Sequence, residues 1–125
     1  ELNLNSKETV VGAISGSASK SALEEYMEEH SETKAKVKNI ASYPEAMTAL
    51  KLQSIDFFCC ERSVIDRYLG EGYKLSGPIV GQLRYGITSR LREKDLSETI
   101  QKAYAALKTD GKLDELYEKY GLISP

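Results

Sequence analysis

Ser15-Gly16-Ser17-Ala18-Ser19 and Glu61 are the residues whose types and spacing suit chemistry. The first group ends a β-branched apolar run, Thr9-Val10-Val11-Gly12-Ala13-Ile14, and precedes a helical pattern with Leu23, Tyr26 and Met27 on one face. A strand that breaks into Ser-Gly-Ser and opens a helix aims unpaired backbone N–H groups out of the helix start. Those donors, the positive end of the helix dipole and the serine hydroxyls make a place for an anion, most simply a carboxylate. The competing reading is plain: most Gly/Ser turns before helices are only turns. Glu61 follows the apolar run Ile55-Asp56-Phe57-Phe58-Cys59-Cys60, which predicts a central strand buried on both faces. Its carboxylate, an acceptor only, stands at the carboxyl end of that strand, where α/β sheets bind ligands. The alternative for Glu61 is a surface salt bridge with Arg62.

The remaining reactive residues point away from catalysis. His30 is the only histidine, and its place at a helix end suits a favourable C-terminal charge. Cys59 and Cys60 are neighbours, and adjacent side chains on a strand face opposite ways, so they do not reach each other and read as small buried residues. A cysteine nucleophile needs a base beside it, and His30 lies on a different element. Glu61 could serve as a general acid or base only with a raised pKa, and no second acid or base converges with it. No metal or other cofactor is implied.

The elements that must position these residues alternate between strand and helix. A strand over 9–14 is followed by a helix over 17–30, in which Ser21 and Glu24 form a capping-type pair and Glu24, Glu25, Glu28 and Glu29 make a solvated face. A strand over 34–41 centres on Val37 and Ile40. Ser42-Tyr43-Pro44-Glu45 starts the next helix, with Ser42 as N-cap, Glu45 in place for a capping box, and Ala46, Met47 and Leu50 on the buried face. After the strand over 55–60, a helix carries Val64, Ile65, Tyr68 and Leu69 and stops at Gly70 or Gly72. Residues 73–75 and 82–89 read as extended, the latter from Leu83, Tyr85 and Ile87 alternating with Arg84, Gly86 and Thr88. Two helices close the chain. One begins at Asp95 and carries Leu96, Ile100, Ala103, Tyr104 and Leu107; the other carries Leu113, Leu116, Tyr117 and Tyr120 and stops at Gly121. The order argues an α/β fold with a mostly parallel sheet flanked by helices and a C-terminal helical segment.

Composition narrows the function. The chain has 125 residues, 41% hydrophobic and 29% charged, which fits a compact domain with a modest core. Its net charge of -2 implies no strong pull toward nucleic acid or an anionic membrane. No apolar run is long enough to span a bilayer. Glu1 is not a natural start, which predicts a trimmed chain.

Four stretches, taken in order, carry a family resemblance: Val11-Gly12-Ala13-Ile14-Ser15-Gly16-Ser17; Tyr43-Pro44-Glu45-Ala46 with Ala49-Leu50 and Ile55-Asp56; Tyr85-Gly86-Ile87 with Arg90; and Asp110-Gly111-Lys112-Leu113-Asp114-Glu115-Leu116-Tyr117-Glu118-Lys119-Tyr120-Gly121. Together they resemble the polar amino-acid solute-binding proteins of bacterial ABC importers, family 3 of the type II periplasmic-binding-protein fold, to which ionotropic glutamate receptor cores are distantly related. The resemblance implies that residues 1–84 are lobe two and that 85–125 hold the hinge return strand and C-terminal helices of an incomplete lobe one. Ser15, Gly16 and Ser17 then match the turn that approaches a ligand carboxylate. Ala18 departs from the family's usual threonine, with Ser19 as a candidate replacement hydroxyl. Glu61 matches the acidic residue that takes the ligand ammonium, Cys60 a position that sometimes touches the side chain, and Tyr43 the cleft's flank.

The function so implied is extracytoplasmic binding of a polar amino acid for an ABC importer, by a periplasmic or extracellular protein that is lipid-anchored in one version of its full-length form. Its partners are the amino acid and the importer's membrane subunits. The alternatives are a ligand-sensing lobe of a receptor or sensor kinase and, lower, a dehydratase-like enzyme. In the family, the absent part of lobe one buries the stripes Leu96-Ile100-Ala103-Leu107 and Leu113-Leu116-Tyr120. Their exposure here predicts self-association, with the C-terminal segment exchanged between chains.

Overall fold

The computed structural model describes residues 3–70 and 72–122, so Glu1 and Leu2 of the chain's polar lead-in lie outside the described residues. The elements run β1 (Val10–Ile14), α1 (Ala18–Glu29), β2 (Lys36–Ile40), α2 (Tyr43–Lys51), β3 (Phe57–Cys59), the short helix α3 (Arg62–Ile65) with a 3-10 turn (Asp66–Tyr68), then α4 (Lys94–Thr109) and α5 (Lys112–Lys119). This is the expected α/β arrangement: a parallel three-stranded sheet flanked by helices, and helices at the C-terminal end. The chain divides into two units, Glu1–Leu83 and Arg84–Pro125.

In the first unit, β1 lies between β2 and β3, with both pairings parallel. Alternation along β1 supplies two cores, because successive side chains leave opposite faces of a strand. On one face Val11 and Ala13 pack with Leu4, Leu23 of α1 and Ala35. On the other, Val10 packs against Ile40, Ile55 and the α2 residues Ala46 and Ala49. Leu23, Ile40 and Ile55 are the largest fully buried side chains, each contributing about 1.5–3 kcal/mol from burial. Gly12 is a close-approach glycine: a Cβ there would stand 2.7 Å from Ile55 Cδ1 and 3.1 Å from Ile40 Cγ1.

Several expectations change. The central strand is β1. The run over 55–60 contributes only Phe57–Cys59, half-buried and at an edge of the described sheet. Asp56 ends its amino side, with its N–H donating to Val10 O at 2.8 Å and its Oδ2 accepting from Val10 N at 2.8 Å. The helix after Glu61 is four residues long before it tightens into the 3-10 turn. Residues 73–75 and 82–89 form no strand. Alternating side chains favour a pleated surface, but the ladder also needs a neighbouring strand, and none among the described residues pairs with them. The buried face of α2 is Ala46 and Ala49, with Met47 half-buried. Its start is close to the expected capping box: Ser42 Oγ accepts from Glu45 N at 3.3 Å, but Glu45 Oε2 reaches one residue further back and accepts from Ala41 N at 3.1 Å in place of Ser42 N.

In the second unit α4 starts at Lys94, one residue before the expected Asp95. Gly111, at φ 75°, turns the chain into α5 in a conformation that suits glycine. The hydroxyls of Tyr104 and Tyr117 lie 3.2 Å apart and tie α4 to α5.

Candidate functional site

A parallel sheet brings all its carboxyl ends to one edge, and here that edge carries the starts of α1, α2 and α3. The register of β1 and β3 pairs Ala13 with Cys59, so two residues further along each chain Ser15 and Glu61 leave the same edge on neighbouring strands. The turn and the carboxylate, far apart in sequence, share one end of the fold.

The turn is part bound and part open. Ser15 N donates to Ile40 O at 3.0 Å and Ser17 N to Ile14 O at 3.1 Å, so those two N–H groups serve the fold. Gly16, at φ +71°, makes the reversal without a side-chain penalty. Ser17 is the N-cap of α1, and its Oγ accepts from Lys20 N at 3.1 Å. The Ser21–Glu24 pair expected inside the helix does not form; Glu24 instead meets Lys20 Nζ at 2.6 Å along the helix. Ala18 and Ser19 are the first two helical residues, so their N–H groups precede the helix's own acceptors. Ser15, Gly16 and Ala18 are exposed, Ser17 is half-buried and Ser19 is buried.

Glu61 is half-buried with an extended backbone, and it stands at the N-cap of α3 without capping it through its side chain. Among the described residues its carboxylate makes neither an ion pair nor a hydrogen bond, so the alternative of a bridge to Arg62 is not formed. Beside it, burial pushes the Cys60 thiol up to about 12, with smaller upward pushes from Cys59 and Glu61. Burial also raises Cys59, whose Sγ lies 3.7 Å from Ser19 O. Raised thiols are poor nucleophiles. Tyr43 begins α2 at the same edge, its ring edge-on to Phe58 at 5.6 Å. His30 lies at the far end of α1, its ring stacked 4.0 Å from Tyr26 and its Nδ1 2.8 Å from Tyr26 O.

Sequence reading missed a shallow concavity at the opposite, amino end of the sheet, lined by Asn3, Ser6, Glu8, Thr9, Asp56 and Phe57. No motif announced it, since it collects polar lead-in residues around a carboxylate already bonded to Val10 N. Among the described residues no group of His, Cys, Asp or Glu is placed to hold a metal ion, and no helix is long and apolar enough to cross a membrane.

No protein-family model matches the chain. Over 89 residues, 70% of the chain, it is 29% identical to the ABC transporter glutamine-binding protein GlnH of Bacillus subtilis (strain 168), and the match spans 33% of that protein. The chain thus corresponds to about a third of the length of this curated relative. A sheet edge bearing a serine-rich helix start and an uncommitted carboxylate therefore stands in a chain loosely similar to a solute-binding protein.

Proposed function

We propose that this chain is part of an extracytoplasmic binding protein that delivers a polar amino acid to the membrane subunits of an ABC importer. The observation that carries this reading is the register that brings Ser15 and Glu61 to one sheet edge. A free amino acid is a zwitterion. Its carboxylate suits the N–H groups of Ala18 and Ser19 at the α1 start, helped by the hydroxyls around Gly16, and its ammonium suits Glu61. Similarity to a glutamine-binding protein supports the same class of ligand. Binding rather than turnover fits the raised thiols beside Glu61. In this reading residues 1–84 are one lobe of a two-lobed binder and 85–125 complete part of the other. The apolar side chains left exposed on α4 and α5, Leu96, Leu107 and Leu116, with Tyr120 at the end of α5, then serve self-association.

The test is calorimetric titration of the chain with L-glutamine and then other polar amino acids, beside E61Q and A18P. Ala18 is the first residue of α1, and Ser17 before it has φ -82° and ψ 153°, the conformation a residue preceding proline adopts. A18P therefore deletes one candidate donor while keeping the helix, which circular dichroism checks. E61Q is expected to cost about 2 kcal/mol or more of affinity, and A18P about 1 kcal/mol or more. Unchanged affinity in both variants removes this edge from the binding site.

A further inference from the structure

We infer that the chain leaving the first unit is a strap latched onto α1, with its seat at Ala22 and Gly81. Residues 72–83 form no helix or strand, so nothing in a ladder holds them. Two side-by-side positions do. Val80 is half-buried and packs against the core built on Leu4, Val11, Ala13 and Leu23. At the next residue the strap passes so close to α1 that a Cβ on Gly81 would stand 2.8 Å from Ala22 Cβ, nearer than real Cβ atoms come. The left-handed region is not the reason for this glycine, unlike Gly70 and Gly72 at φ +95° and +87° just upstream. Gly81 has no side chain because Ala22 occupies the space. Just upstream of this seat Ile79 is 74% exposed. The latch is thus one apolar plug and one small-against-small contact, on the helix that begins at the Ser15–Ser19 turn. Such a short contact releases without the sheet opening, because the β1–β2 and β1–β3 ladders do not include it. The inference rests on packing alone and stands or falls independently of any ligand.

The experiment is limited trypsinolysis of the full chain with peptide-resolved hydrogen exchange. A protease must draw several residues before the cut into an extended strand, so Arg84 is protected while Val80 and Gly81 stay seated, and Arg92 reports general access. G81A forces the strap off its seat and is expected to raise cutting after Arg84 relative to Arg92 by about tenfold, as cleavage follows the open population. Exchange in Val10–Ile14 and Lys36–Ile40 stays as in the wild type. The double variant A22G/G81A frees the space and returns the cutting ratio toward the wild-type value. V80A removes part of the plug without a clash, raises the ratio in the same direction, and serves as the readout where G81A does not fold. The latch is overturned if both G81A and V80A leave the ratio unchanged, if A22G fails to rescue a folded G81A, or if exchange in β1 and β2 rises together with the cutting.

Discussion

Cys60 joins the end of β3 to Glu61, and its thiol carries the largest consequence of that position. Burial first, then the charges of Cys59 and Glu61, hold its proton up to about 12 against an ordinary 9.0. The folded protein therefore keeps a proton that the unfolded chain releases. The stabilisation is complete below pH 9.0 and is lost as pH rises toward about 12, with Cys59 acting in the same direction. Urea unfolding across that window is expected to show C60S losing less stability than the wild type with rising pH. Parallel curves would mean that the thiol titrates as freely in the folded state as in the unfolded one. E61Q removes one of the charges that hold the proton on, so iodoacetamide is expected to modify Cys60 faster in that variant. The fast reaction of a thiolate nucleophile is not available to Cys60 at neutral pH.

Among the elements, β1 bears the most, since both cores and both ladders meet on its five residues. Gly12 shows how little room remains. G12A places a methyl against Ile55 and Ile40, and is expected to cost about 1–3 kcal/mol in urea unfolding, partly recovered by I55V. An unchanged midpoint would mean that Ile55 moves aside freely. β1, β2, α1, α2 and the two C-terminal helices were legible in the sequence because each combines a period with a stop or cap of its own: Ser42 and Glu45 bracket the start of α2, and Gly111 separates α4 from α5. The strands expected at 73–75 and 82–89 were misread because a ladder depends on a neighbour that no local pattern encodes. The start of α1 at Ser17 was legible as well, while the Ser21–Glu24 pair expected inside the helix gives way to Lys20 with Glu24, one turn apart. Of the candidate site, the sequence displayed the serines and the carboxylate; their shared edge came from the register of Ala13 with Cys59, which is a tertiary fact.

At the scale of the whole molecule, the two units are built differently. The first has a core of fully buried residues, while no residue of α4 or α5 is buried. Helices whose leucines remain wet gain by association, at about 25 cal/mol for each Å² of apolar area covered. Sedimentation of the chain at micromolar concentration is expected to show a dimer or larger species, and L96E with L116E to return it to a monomer. A clean monomer in the wild type would remove the self-association proposal. The two units also reach their shapes on different schedules. α4 and α5 are consecutive, so their contact forms as soon as both have been synthesised. β1 leaves the ribosome before either of its partner strands, with both edges bare, and its Val11 must wait first for Val37 and then for Phe57. Through that interval the nascent chain carries a naked Val-Val-Gly-Ala-Ile strand, the stretch a chaperone has most reason to hold.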